Sequence, residues 1–292
     1  MKKIPMKLCE TFSGIGMQRR GIENSNLFDV ENVATSEIDA NAIISYAAIH
    51  EGLTNDMVDN YSDYPSREEM AQDLLDMNIN YDFKEKKPYD WFKIAGRKDS
   101  KKQLQKTWLA CKLSKNYGDI SKVETFPHCG LLTFSFPCQD LSVAGKSKGI
   151  VKGKTRSGQV YEILRILKNM KAINDAPRFL LMENVDALLN NEHKPQFEKL
   201  NEEFKELGYD VKYRVMNGKY CGVPQNRNRV FAIYSLNSSD LEEFEFPKEF
   251  DNGIRLEDII FDHVDEKYFI NNEKATQLIK DLEAEGKLDD YK

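Results

Sequence analysis

The chain has 292 residues, 40% hydrophobic and 31% charged, enough to bury a sizeable core as one large α/β domain or one domain with an appendage. No apolar run approaches the roughly 20 residues needed to span a bilayer, and residues 1–7 lead straight into a strand-like run, unlike a signal peptide. Five scattered cysteines, Cys9, Cys111, Cys129, Cys138 and Cys221, form no CxxC pair; they point to a reducing cytoplasm and argue against a disulfide framework or a zinc site.

The net charge of −6 argues at first sight against a nucleic-acid partner. Its distribution weakens that objection. Residues 251–292 hold 12 acids and 6 bases, so residues 1–250 balance to zero. Within them, residues 141–161 carry Lys146, Lys148, Lys152, Lys154 and Arg156 and no acid. A local basic loop matters more for gripping phosphates than the global sum does.

In chain order, short apolar runs alternate with helical patterns, which predicts a doubly wound, mostly parallel α/β sheet. A strand over 6–12 runs into Gly14 and Gly16 and then a helix over 17–24. Glycines there let a backbone approach a ligand at a helix N-terminus, although tight strand-to-helix turns also need them for structural reasons. A second strand, 30–36, ends at Glu37, 21 residues after Gly16. In doubly wound folds an acid at that place binds ribose hydroxyls. Asp39 reads as the N-cap of a helix over 40–50. Asp119, after Gly118, is a candidate acceptor for an adenine amino group. The incomplete GxGxxG pattern favours a nucleoside cofactor without a diphosphate, a description that S-adenosylmethionine fits. Residues 51–117 are long and polar and read as an inserted element with its own structure, with a helix start at Ser66-Arg67-Glu68-Glu69.

A third strand, 130–134, leads to Pro137-Cys138 and the acid-free basic loop. An isolated cysteine at a strand end is usually packing; here nearby positive charge favours the thiolate, at the edge where open α/β sheets bind ligands. After a helix over 160–171, a strand over 179–182 ends in Glu183-Asn184-Val185, so Glu183 is placed to face the same crevice as Cys138. A thiolate beside a carboxylic acid suits nucleophilic attack on a ring whose nitrogen is protonated or hydrogen-bonded. The run Phe197, Leu200, Phe204, Leu207 marks one face of a helix over 196–207, closed by Gly208. Strands over 211–216 and 230–235 follow, and Arg227 and Arg229 alternate at the entry to the second, on one face. The chain then turns acidic and ends in a polar helical pattern over 273–286.

Phe-x-Gly-x-Gly, Pro-Cys-Gln, Glu-Asn-Val and Gln-x-Arg-x-Arg, in that order, resemble the motifs of the C5-cytosine DNA methyltransferase family, and the insertion resembles that of some bacterial type II modification methyltransferases. The resemblance covers residues 4 to about 270. It implies the Rossmann-like fold of S-adenosylmethionine-dependent methyltransferases, with 1–250 as catalytic domain, an insertion at 51–117, and 251–292 as an acidic segment leading towards a target-recognition domain. It implies that Cys138 attacks C6 of a flipped cytosine in duplex DNA and that Glu183 serves N3. Arg227 would bind O2 and buttress Glu183, and Arg229 would support the pocket. Phe12, Ser13, Gly14, Gly16, Glu37, Ile38, Asp119, Ile120 and Pro137 would hold S-adenosylmethionine. Gln139, Ser142, Lys146, Lys148, Lys152, Lys154 and Arg156 would contact DNA.

The family's recognition domain and its final Gly-Asn-Ser/Ala-Val segment have no counterpart in this sequence. The expectation is therefore a shortened chain or the larger subunit of a split enzyme, completed by a second polypeptide. A tRNA cytosine methyltransferase and a non-catalytic DNA-binding or regulatory fragment are the alternatives.

Overall fold

The computed structural model describes residues 2–82, 85–141, 148–269 and 272–287. Six strands form one sheet: β1 (Ile4–Thr11), β2 (Phe28–Ser36), β3 (Leu131–Phe134), β4 (Phe179–Val185), β5 (Asp210–Asn217) and β6 (Asn228–Ser235), in the order β2-β1-β3-β4-β6-β5. The pairs β1–β2, β1–β3 and β3–β4 are parallel, while β6 runs antiparallel between β4 and β5. The sheet is thus mostly parallel, with an antiparallel hairpin at one edge. The chain leaves β1 towards β2 on one side and later returns beside β1 as β3 on the other. The crevice outside the carboxyl ends of β1 and β3 is the place where such sheets bind ligands.

Ten helices are seen among the described residues: α1 (Met17–Asn24), α2 (Ala40–His50), α3 (Asn55–Asn60), α4 (Arg67–Asp76), α5 (Trp91–Gly96), α6 (Lys101–Leu113), α7 (Val160–Ala172), α8 (Lys194–Glu206), α9 (Ser238–Glu242) and α10 (Glu273–Ala284). None is long and apolar enough to cross a membrane. Their starts follow local chemistry. Asp39 caps α2 through the backbone N–H groups of Asn41 and Ala42, and Ser66 with Glu69 forms a capping box at α4. The last turn of α8 leads into Gly208 at φ +92°, a conformation that suits glycine.

Two apolar clusters divide the interior. The larger joins β1, β3, β4 and β6 to α7, which buries Val160, Ile163, Leu164, Ile166, Leu167 and Met170, and to α8, which buries Phe197, Leu200 and Phe204. Phe134, Phe204 and Tyr234 stack at 4.7–6.1 Å between ring centroids directly beneath the carboxyl end of β3. Each such side chain withdrawn from water contributes about 1.5–3 kcal/mol. The second cluster joins α2 to α3–α6 of the insertion around Trp91, Met70, Leu74 and Leu104. Residues 251–269 and 272–287 bury no side chain, and Phe250, Phe261 and Tyr268 stand 68%, 82% and 69% exposed.

Candidate active site

The carboxyl edge of the sheet opens into a cleft of about 580 Å³ lined by Cys138, Glu183, Arg227 and Arg229, with Gln139 and Arg156 at the same opening. Residues drawn from β3, β4 and the start of β6 therefore meet, although the sequence separates Cys138 from Arg229 by a helix–strand–helix–strand span.

The Cys138 turn is fixed from below. Asn184, at the end of β4 and 3% exposed, donates from Nδ2 to the Phe136 carbonyl at 3.0 Å, and its Oδ1 accepts from the Val185 N–H at 2.9 Å. The fully buried Ser157 donates its hydroxyl to the Pro137 carbonyl at 2.6 Å. The Cys138 carbonyl accepts from the Leu141 N–H, and the Asp140 carboxylate accepts from the Arg156 N–H at 2.6 Å. Buried polar groups satisfied in this way hold a backbone in one geometry. Cys138 itself is half-buried. Cys9, Cys111 and Cys129 are buried, and burial pushes the Cys9 thiol well up and the Cys111 thiol up to about 12, as befits packing residues. Cys221 is exposed and lies outside the cleft lining.

Glu183 is held by Arg229, not by Arg227. The Arg229 Nε lies 2.9 Å from Glu183 Oε1, with the two side chains 19% and 24% exposed. This corrects the expectation that Arg227 buttresses the carboxylate, and the register gives the reason. Arg229 pairs with Val185 across the β4–β6 ladder, two residues from Glu183 and on the same face. Arg227 precedes the strand and stands exposed at the rim.

The other end of the cleft is bounded by Phe12, Glu37 and Ile38 and continues into a small hollow lined by Asp119, Ile120 and Gln159. Glu37 Oε2 accepts from the Gly14 N–H at 2.9 Å, and Oε1 accepts from the N–H groups of Ile38 and Asp39. Phe12 sits at φ +52°, an uncommon conformation that bulky side chains adopt where the surroundings impose it. Pro137 joins the lining on the β3 side. Ser13 and Gly14 shape the turn rather than the lining. Ser13 pairs through its backbone with Ser36, and a Cβ on Gly14 would meet nothing within 4 Å, so its outer face is open to a ligand. Gly16 has an internal reason to be glycine: a Cβ would lie 2.4 Å from His50 Nε2 and 2.6 Å from the Tyr46 ring. A nucleoside with a cationic tail fits this end, with a carboxylate at Glu37, apolar Phe12 and Ile38 beside it, and the buried Asp119 beyond.

Several lining residues carried no local signal. Tyr81 and Asp82 enter from the insertion, Ser135 is held by Gln18 Nε2 at 2.7 Å, and Gln159 precedes α7. Asn78, also from the insertion, donates to Asp119 Oδ2 at 2.8 Å. Of the expected DNA contacts, Ser142 and Lys146 lie outside the described residues. Lys148 and Lys154 are exposed and do not line the cleft. Lys152 lies 5.6 Å over the Tyr161 ring in a separate hollow with Glu203.

The family model described as C-5 cytosine-specific DNA methylase matches residues 77–289. The type II methyltransferase M2.ScrFI of Lactococcus lactis subsp. cremoris is 34% identical over 274 residues, covering 93% of this chain and 72% of that protein. The orphan methyltransferase M.SssI of Spiroplasma monobiae is 34% identical over 273 residues, covering 91% of this chain and 68% of that protein. Both relatives extend beyond the match on one polypeptide, so the expectation of a separate second polypeptide finds no support. Among solved structures, the S. pombe Dnmt2 methyltransferase aligns with a TM-score of 0.51 at 15% identity, over 94% of this chain and 65% of that one. The Entamoeba histolytica methyltransferase EhMeth aligns with a TM-score of 0.53 at 16% identity, over 92% and 63%. The chain thus spans less than two thirds of either solved structure, and at these identities the likeness is one of fold.

Proposed function

The chain belongs to the C-5 cytosine-specific DNA methylase family, DNA methyltransferases that act on C5 of cytosine, and from that premise we propose that Cys138 and Glu183 carry the reaction on a cytosine swung out of duplex DNA into the cleft. The observation that carries the reading is the meeting of Cys138 and Glu183 in one opening, with Glu183 Oε1 tied to Arg229 at 2.9 Å.

Cytosine C5 is a poor nucleophile until electrons are pushed into the ring. The Cys138 thiolate adds to C6, forming a C–S bond, while Glu183 delivers a proton at N3, so no charge accumulates on the ring. Arg229 occupies Oε1 and leaves Oε2 for the base. Arg227 and the remaining N–H groups of Arg229 line the cleft to receive O2. Phe12, Glu37, Ile38, Asp119, Ile120 and Pro137 would hold S-adenosylmethionine, which would supply an electrophilic methyl group on its sulfonium. Once C5 is methylated, its proton leaves to water, the C6–S bond to Cys138 breaks to return the thiolate, and the N3 proton goes back to Glu183. Gln139 and Arg156 stand at the mouth to hold the displaced strand. Extruding the base costs a few kcal/mol, offset by these contacts.

Residues 1–250 with the insertion 51–117 serve as the catalytic body, from which the acidic segment 251–292 leads out. Five unpaired thiols fit the reducing cytoplasm. The test is methyl transfer from labelled S-adenosylmethionine to duplex DNA and, separately, to tRNA. Label recovered as 5-methylcytosine in the duplex is expected. Label in tRNA alone, or in neither, contradicts the reading.

A further inference from the structure

Residues 85–115 carry ten Lys or Arg and three Asp or Glu, and the fold leads this stretch away from the cleft rim. Tyr81 and Asp82 line the cleft. Asp82 then pairs with Lys87 in an isolated antiparallel bridge, the two backbone N–H groups donating reciprocally at 2.9 and 3.1 Å. The bridge presents Lys86 and Lys87, both exposed, beside the opening. α5 follows, anchored by buried Trp91, Ile94 and Ala95, with Lys93 on its outer side. Arg97, Lys98 and Lys101 continue the exposed series, edged by Tyr89 and Phe92 at 36% and 45% exposure.

Neutralisation within the insertion falls elsewhere. Residues 54–76 hold seven acids and one base. They reach the α6 lysines through Asp59, which pairs with Lys102 at 2.8 Å, and Asn55, which accepts from Lys106. Among the described residues, the side chains of Lys86, Lys87, Lys93, Arg97, Lys98 and Lys101 meet no acid within ion-pair distance. A protein with an overall charge of −6 thus keeps a series of exposed cations, interrupted by exposed Glu85, Asp90 and Asp99, along a segment that starts at the cleft-lining Tyr81 and Asp82.

We propose that this surface of the inserted helices is a second DNA-binding surface, which takes the sugar–phosphate backbone of the duplex flanking the target base. The inference rests on the DNA reading of the cleft. Its occupant is a regular polyanion because the bases are unpartnered and in series, and it is the duplex already in the cleft because the series begins at the cleft rim. Such contacts set position and affinity, not sequence choice.

The test compares wild type with the fourfold variant K93Q/R97Q/K98Q/K101Q, and with K86Q/K87Q in case the first fails to fold. The dissociation constant for duplex DNA is measured against salt, with S-adenosylmethionine binding and thermal melting as controls on folding. For every phosphate left unneutralised, the slope of log affinity against log salt falls by about 0.9, so the fourfold variant is expected to lose about 2–4 from the slope and about tenfold or more in affinity at low salt. An unchanged slope in folded variants, with a wild type that binds and methylates duplex DNA, overturns the surface alone. A wild type that neither binds nor methylates the duplex overturns the cleft reading instead. Equal loss of binding to polyglutamate and to duplex would also overturn the proposal, marking a general polyanion patch.

Discussion

The carboxyl edge of the sheet and the inserted helices 51–117 are both rich in charge, yet they treat it oppositely. At the edge the groups that face the crevice from β2, β3 and β4 are held: Glu183 by Arg229, the Cys138 turn by Asn184 and Ser157, Glu37 by three backbone N–H groups. On the outer side of the insertion the cations from Lys93 to Lys101 are exposed. Bond-making chemistry needs groups fixed to within a fraction of an ångström, whereas attraction to a phosphate backbone tolerates mobile side chains. On the proposed reading, the held charge would belong to the reacting centre and the exposed cations to the grip on DNA.

Substitutions that separate these two behaviours sharpen the contrast. The largest effect is expected at Cys138. Serine there is nearly isosteric but a far weaker nucleophile, and methyl transfer should fall by roughly 10⁴-fold or more, with S-adenosylmethionine affinity and melting temperature near wild type. Glu183→Gln keeps the shape while removing the proton and the charge opposite Arg229. Single-turnover kinetics should show a loss of about 10²–10⁴ in rate. A loss below tenfold would place Glu183 outside the reaction.

Asn184→Ala leaves the buried Phe136 carbonyl without its donor, a cost of about 1–3 kcal/mol in chemical denaturation. Lys93→Gln on the insertion should cost no more than about 0.5 kcal/mol. Equal costs at the two positions would erase the distinction between held and loose charge.

A pH-dependent effect comparable to that at Asn184 is expected at Glu10, which lies in β1 beneath α1 and α2. Its buried carboxylate accepts from the Tyr46 hydroxyl of α2 at 2.6 Å and from the Arg19 N–H of α1 at 3.2 Å, while the Arg19 guanidinium reaches Glu23 and Glu51. Burial pushes the Glu10 carboxyl up to about 7, with the hydrogen bonds from Tyr46 and Arg19 opposing the rise. The folded chain thus keeps a proton that the unfolded chain releases near 4.5, and stability falls as pH rises from about 4.5 to about 7. Glu10→Gln cannot titrate, so denaturation profiles should lose a pH-dependent component on the order of 1–3 kcal/mol across that window. Parallel profiles for the two proteins would contradict the assignment.

Much of this was legible in the chain. All six strands overlap the predicted runs; β3, central and parallel, is fully buried, while β4 and β6 bury alternate residues as a one-sided face would. Asp39 caps the start of α2 and Gly208 follows the end of α8, as local chemistry requires. What was not legible depends on register and on distant packing. The alternation of Arg227 and Arg229 put both in the cleft, but only the antiparallel pairing of β6 with β4 decides which one reaches Glu183. Tyr81, Asp82 and Asn78 sit in a polar insertion without a motif and gain meaning from α2–α6 packing alone. Lys152 belongs to the basic loop by sequence and to the Tyr161 surface by fold.

The central claim is that Cys138 forms a bond to the base it modifies. Wild type and Cys138→Ser, each with S-adenosylmethionine and duplex DNA containing 5-fluorocytosine, should be compared by denaturing gel. Fluorine at C5 cannot leave as a proton does, so a covalent protein–DNA species is expected with wild type and absent with Cys138→Ser. The same species formed by both proteins, or by neither while wild type methylates ordinary DNA, would contradict the account.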